Sequence, residues 1–183
     1  MKTNGFDRLW IDVVDDVPLG PVWLAVVANG LAAIEIGGTK SEFVQMLSDR
    51  FRGIVERDDS RTGMIVQQVG EYLKRERRSF DLPIEWSIMT EFQEKVLRAV
   101  YDIPYGETRT YGQIAAQIGM QGAARAVGRA NATNPVPLVI PCHRVIGEDG
   151  NLRGYGAGDG IATKAWLLTL ESKQLSFKDL DER

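Results

Sequence analysis

The chain has 183 residues, enough for one medium domain or two small ones, and its 44% hydrophobic and 26% charged residues exclude wholesale disorder, collagen and coiled coil. It carries one cysteine and one histidine, which excludes an internal disulfide framework and a thiolate-rich zinc site. The formal net charge of -3 argues against a generally basic, nucleic-acid-binding surface. The excess of acid belongs to residues 1–85, however, and residues 103–146 hold Arg109, Arg125, Arg129 and Arg144 against Glu107 alone.

Residues 9–14 read as a short strand. Two apolar runs, 22–28 and 31–36, flank Asn29-Gly30. Both turn residues tolerate the positive φ of a type I′ turn, so the pattern predicts a β-hairpin. Residues 41–51 place Phe43, Met46, Leu47 and Phe51 at helical spacing, with Ser41 as N-cap. Residues 62–77 place Met64, Val66, Val69, Tyr72 and Leu73 on a second amphipathic helix. It ends in Lys74-Arg75-Glu76-Arg77-Arg78, which reads as a solvated C-terminus favoured by the helix dipole. Residues 80–86 read as one more strand. This half, residues 1–86, is a small α+β unit in which the residues alone indicate no chemistry.

Residues 87–183 form the second, mostly helical unit. Thr90 caps a helix over residues 91–100, with Gln93 placed for a capping box. Ile103-Pro104-Tyr105-Gly106 stops it. Short helices over 111–118 and 123–131, separated by Gly119 and Gly122, predict a helix-turn-helix at about 110–131. The second of these is slim: Ala123, Ala124, Ala126, Gly128 and Ala130 carry little bulk, and Arg125 and Arg129 project far. Such a surface suits close helix packing. It equally suits entry into a widened DNA minor groove, normally about 6 Å wide against about 10–12 Å for an ordinary helix.

The proline-interrupted run Val136-Pro137-Leu138-Val139-Ile140 predicts an irregular extended segment that presents Cys142 just after Pro141. A free thiol of pKa about 8.5 is mostly protonated at neutral pH, so fast nucleophilic attack needs a base or a positive charge. His143 is the sole imidazole. Neighbours in extended chain point to opposite faces, which favours a water relay over direct contact. A buried inert cysteine beside a hydrogen-bonded histidine fits the same residues.

Residues 90–171 resemble the DNA-binding, active-site domain of the O6-alkylguanine-DNA alkyltransferases, also called methylated-DNA–protein-cysteine methyltransferases. The resemblance rests on Pro141-Cys142-His143-Arg144-Val145, Asn134-Pro135-Val136-Pro137, Ala124-Arg125-Ala126-Val127-Gly128, Ile103-Pro104-Tyr105-Gly106-Glu107-Thr108, and Trp166-Leu167-Leu168 followed by Glu171. It implies an α+β fold in which a ribonuclease-H-like N-terminal domain precedes the helix-turn-helix domain. It also implies a suicidal repair activity: an alkyl group on guanine O6, with O4-alkylthymine as a second candidate, passes irreversibly to Cys142. The base would first be flipped out through the minor groove.

The residue roles that follow from the resemblance are these. Glu171, His143 and a water would withdraw the Cys142 proton, Asn134 would brace the turn, and Tyr111 with Lys164 would neutralise charge on the departing base. Arg125 would fill the vacated stack, with Tyr111, Ala123, Ala124, Arg129 and Arg144 against the DNA. Val145, Tyr155 and Gly156 would line the substrate pocket. No cofactor is implied, because the protein itself accepts the alkyl group, and the structural zinc of some relatives is not expected, because residues 1–85 contain neither Cys nor His. The expected partner is duplex DNA bearing the alkylated base, with no obligate protein partner; a monomer in the cytoplasm is the expected setting. The Gly154–Gly160 loop is longer and richer in glycine than is usual for the family, and Trp is missing after Val96. Three other classes compete: a damage sensor without transfer activity, a turning-over Cys-His hydrolase, and a transcriptional regulator.

Overall fold

The computed structural model describes residues 4–172. Strand β1 (Asn4–Val14) is followed by a hairpin of β2 (Val22–Val27) and β3 (Gly30–Ile36) about Asn29-Gly30, as the turn chemistry predicts. Helix α1 (Lys40–Arg50) runs straight into β4 (Phe51–Glu56), and α2 (Asp59–Leu73) completes this half. The sheet order is β3-β2-β1-β4, antiparallel except for the parallel pairing of β4 with β1.

Several local expectations need correction. The N-cap of α1 is Thr39, not Ser41: Thr39 Oγ1 accepts from the Glu42 amide while the Glu42 carboxylate accepts from Thr39 N–H at 2.7 Å. Strand β4 escaped notice because, past Phe51, its residues are exposed or half-buried and lack a clear period-two alternation. Residues 80–86 are not a strand. They contribute one parallel bridge, Leu31 to Ile84, flanked by Leu31 N–H to Pro83 O and Glu85 N–H to Leu31 O, before the chain coils into a 3-10 turn at Trp86–Ile88. The basic run lies just past the end of α2 and is largely solvated, with Lys74, Glu76 and Arg78 exposed, but several of its arginines are also tethered. Arg77 pairs with Glu71 at 2.7 Å, Arg75 donates to the Thr169 carbonyl, and Arg78 lies over the Tyr105 ring.

The remaining elements are α3 (Glu91–Tyr101), β5 (Arg109–Thr110), α4 (Tyr111–Gln117), α5 (Ala124–Ala132), a 3-10 turn at Cys142–Arg144, β6 (Val145–Ile146) and α6 (Ile161–Glu171). Thr90 caps α3 by accepting from Gln93 N–H, but the Gln93 amide donates to Thr133 instead of closing a box. That bond ties α3 to the end of α5. Thr110 and Gln113 do form a full capping box at α4. Parallel pairing of β5 with β6 fastens the start of the helix-turn-helix to the exit of the Cys142 turn.

One apolar core runs through both halves: Val14, Leu24, Leu31 and Tyr72 pack in the same cluster as Leu97, Ile114, Val127, Ile140 and Leu167. A smaller cluster, including Leu9, Ala25, Phe43 and Leu47, lies under α1. The α+β architecture is as expected. The boundary expected between residues 86 and 87 falls inside the Trp86–Ile88 turn, and the core crosses it.

Gly30 lets the hairpin meet this connection. Its φ is +148°, and a Cβ there would stand 2.5 Å from the Pro83 carbonyl oxygen. Gly30→Ala is expected to destabilise the protein by about 1–3 kcal/mol, read as a lower urea midpoint; an unchanged midpoint would contradict the close approach.

Candidate active site

The segment leading to Cys142 is a tight turn rather than an extended strand. Ile140 N–H bonds back to Val136 O at 2.9 Å, Leu138 takes a φ of +73°, and the prolines at 135, 137 and 141 supply no ladder donors. Cys142, His143 and Arg144 then form one turn of 3-10 helix. Successive side chains there diverge by about 120°, so the opposite-face premise gives way to a fan of three directions. The turn is pinned from two sides. Asn131 on α5 donates to the Cys142 carbonyl at 3.1 Å, and Asn134 donates both to Ile140 O and, at 3.0 Å, to Cys142 Sγ.

His143 is fully buried, and its Nε2 lies 3.0 Å from Glu171 Oε1 and 3.3 Å from the Tyr72 hydroxyl. An ionised carboxylate only accepts, so this contact assigns the proton to Nε2 and leaves Nδ1 as the basic nitrogen. Nδ1 has no hydrogen-bond partner within the protein among the described residues, and no hydrogen bond joins the Cys142 and His143 side chains there. Glu171, the last residue of α6, gathers further donors: Arg144 Nε at 2.8 Å, Arg144 Nη2 at 2.7 Å, Tyr72 OH at 2.6 Å and the Gly106 amide at 3.2 Å. Gly106 has a φ of +76°, and a Cβ there would come within 3.0 Å of the Glu171 carbonyl. Glycine at this place in the Ile103–Thr108 motif therefore lets the turn close over the carboxylate.

The electrostatics follow from burial and these partners. Desolvation opposes ionisation of Glu171, but the hydrogen bonds from His143 and Arg144 and the charge of Arg144 prevail and hold it far below the usual carboxylate range. Burial pushes the Cys142 thiol up, despite the opposing Asn134 hydrogen bond and Lys164 charge. Burial pushes His143 down against the pull of Glu171. The resting pair is thus thiol and neutral imidazole. Lys164, also lowered by burial, donates to the Val145 carbonyl at 2.6 Å and sits 5.8 Å from the Tyr111 ring centroid.

Alongside α5 lies a cleft of about 750 Å³ lined by Tyr111, Ala124, Arg125, Gly128, Tyr155 and Gly156, among others, while Cys142 and His143 are buried and do not line it. Tyr111 and Tyr155 join it to the site: burial above all keeps each hydroxyl protonated, and a Cys142 thiolate, when it forms, would act on both in the same direction. Gly128 presents no side chain to Tyr111; a Cβ there would lie 3.8 Å from that ring. Arg125 and Arg129 are exposed on α5 and form no ion pair among the described residues, while Ala123 and Ala124 are half-buried at its start.

Arg144 departs from expectation. It is buried and spends its guanidinium on Glu171 and the Ile103 carbonyl, so it cannot serve as a DNA contact. Tyr72 and Asn131 were missed. Tyr72 reads as one more member of an apolar helix face. Asn131 does leave a trace, as a polar residue beside Val127 and Ala130 on a buried stripe. Among the described residues no cluster of three or more His, Cys, Asp or Glu side chains could hold a metal ion, and no helix is long and apolar enough to cross a membrane.

Residues 91–173 match a family model described as the DNA-binding domain of 6-O-methylguanine DNA methyltransferase. A Mycobacterium bovis protein named methylated-DNA–protein-cysteine methyltransferase is 41% identical over 159 residues, 87% of this chain and 90% of its own length. A Mycolicibacterium paratuberculosis protein of the same name is 53% identical over 108 residues, but that match spans only 59% of this chain and 64% of the relative. The crystal structure of Mycobacterium tuberculosis OGT in complex with DNA superposes with a TM-score of 0.72 at 38% identity, covering 90% of this chain and 92% of that one.

Because His143 is lowered in the fold, the unfolded chain binds its proton more readily, and the stability this confers is present at neutral pH and lost as pH falls through the mid-6 range. The urea midpoint should therefore drop between pH 7 and 5.5. With no other histidine in the chain, His143→Gln should flatten that slope; an equally steep slope in the variant would assign it elsewhere.

Proposed function

The chain belongs to the methylated-DNA–protein-cysteine methyltransferase family, and we propose that it repairs DNA by transferring the alkyl group of O6-alkylguanine, with O4-alkylthymine as a second candidate substrate, onto its own Cys142. Residues 87–183 carry the DNA contact and the chemistry, with residues 1–86 packed against them. The observation that carries this reading is geometric: Cys142 and His143 share one buried turn, Asn134 donates to the sulfur, the imidazole is backed by the donor-rich Glu171 carboxylate, and a cleft walled by the slim helix lies alongside.

In this mechanism α5 enters the minor groove with Ala123 and Ala124 leading. Arg125 occupies the space of the extruded nucleotide and Arg129 meets the backbone. The flipped base enters between Tyr111 and the Tyr155-Gly156 wall, with main-chain groups near Cys142 and Val145 reading its edge. His143 Nδ1 draws the thiol proton through a water, and Glu171 steadies the imidazolium through Nε2–H. The sulfur electron pair forms the S–C bond as the C–O6 bond breaks, and the departing guanine takes up a proton. Lys164 and Tyr111 offset the charge that builds on it, while Asn134 keeps the sulfur aimed. A thioether is a poor leaving group, so each molecule acts once and needs no cofactor. A reaction that needs a reduced thiol and DNA points to the cytoplasm as the working compartment.

A Cys-His hydrolase would be served better by a preformed thiolate–imidazolium pair. Neither neighbour here is charged at rest. A sensor lacking transfer has no use for Cys142, and a transcriptional regulator would need base-reading side chains where α5 carries alanine.

Incubation with duplex DNA containing O6-methylguanine should add a single methyl group to the intact mass, and Cys142→Ala should add none. Continued turnover, or binding without a mass gain, would overturn the reading. Loss of a stacking side chain is worth about 1–3 kcal/mol. Arg125→Ala should therefore slow repair of duplex roughly tenfold or more while sparing a single-stranded substrate; equal losses on both would rule out the intercalating role.

A further inference from the structure

The N-terminal half sends a hydroxyl into the relay. Tyr72, on α2, is fully buried, donates to Glu171 Oε1 at 2.6 Å and lies 3.3 Å from His143 Nε2, although Glu171 is 99 residues away in the chain. We propose that Tyr72 is a positioning residue for alkyl transfer, its hydroxyl holding the Glu171 oxygen that orients His143 and tempering that carboxylate's pull on the imidazole. The inference rests on the alkyl-transfer reading and deepens it by giving the N-terminal half a part in the chemistry.

The geometry leaves the hydroxyl little freedom. Its ring centroid stands 5.2 Å from that of Phe80 and 6.2 Å, edge-on, from that of Tyr105. Burial and the adjacent Glu171 charge keep the phenol protonated, so its single proton goes to the carboxylate at 2.6 Å. Of the side-chain contacts to Glu171, Tyr72 makes the shortest: 2.6 Å, against 2.7 and 2.8 Å for Arg144 and 3.0 Å for His143.

Each donor draws negative charge away from the oxygen that faces Nε2–H. Without the phenol, the carboxylate would pull harder on that proton and favour the imidazolium. An imidazole already protonated at rest cannot accept the Cys142 proton. Tyr72 thus helps keep the base empty until the thiol delivers its proton. The other charged or titratable groups facing this assembly include Arg144 on the same turn as His143, Lys164 on α6, Tyr105 beside Glu171, and Tyr155, which feels both Tyr72 and Glu171 and neighbours Cys142. All remain in place when only the Tyr72 oxygen is removed.

The test uses the full chain labelled with ¹⁵N-histidine, in which every imidazole signal comes from His143. Tyr72→Phe keeps the ring and removes the hydroxyl. A hydrogen bond to a charged group is worth enough to move a titration by about one pH unit. The imidazole midpoint should rise by about that much, and the acid limb of the single-turnover methyl-transfer rate should move up with it. DNA affinity should not change, and the rate on the alkaline side of the limb should stay within a few-fold of wild type. A variant that melts earlier but keeps the wild-type midpoint and acid limb would reduce Tyr72 to packing and overturn the inference.

Should Tyr72→Phe not fold, the wild-type protein still decides: a slowly exchanging phenol proton with a nuclear Overhauser contact to the His143 ring is expected, and its absence refutes the contact. The imidazole titration needs no substrate. A protein that transfers no methyl yet shows the shift refutes the transfer reading while upholding the Tyr72 contact.

Discussion

Everything around Cys142 depends on one buried carboxylate. Glu171 ends α6 at 2% exposure, where an ion without partners would be penalised by several kcal/mol. It is retained because donors converge on it from α2, from the turn at Gly106 and from the Cys142–Arg144 turn. Remote parts of the chain must therefore be correctly folded before the charge is satisfied. The same bonds that make the ion tolerable fix the direction of the His143 ring. Stability and chemistry are supported by one set of contacts.

That arrangement explains how a fully buried pair can remain reactive without being charged. Desolvation alone disfavours both the thiolate and the imidazolium, holding the proton on sulfur. Glu171 makes the imidazolium accessible, Lys164 and the Asn134 amide do the same for the thiolate, and neither effect is strong enough to separate charge at rest. A thiol kept protonated until a substrate arrives is also less open to stray oxidation, which proceeds through the thiolate. For the proposed single-use acceptor, that restraint would protect its one reaction.

Features governed by short-range chemistry were legible in the sequence. Asn29-Gly30 announced its hairpin, Thr90 its helix, and the two short helices their turn. The identity of the Cys142-His143 pair was equally visible, and the surrounding motifs carried the resemblance that gave it roles. What escaped was decided by distant partners. Arg144 looked like a surface cation in a basic stretch until Glu171 claimed it across 27 positions. Tyr72 was indistinguishable from a core aromatic, because its hydroxyl finds partners 71 and 99 residues downstream. Strand β4 and the 80–86 connection failed for a related reason. Their pairing is dictated by β1 and by Leu31, not by an alternation of their own.

The continuity of the core has a consequence for how such a protein can be inherited. Tyr72 reaches His143 and Glu171 from one half while its ring packs in a cluster shared with Leu97, Ile140 and Leu167 of the other. A recombination that joined the N-terminal half of one relative to the C-terminal half of another would have to match that seam in shape. It would also have to deliver a phenol oxygen to the right few ångströms. The two halves are thus fitted to each other by an internal seam that neither could supply alone.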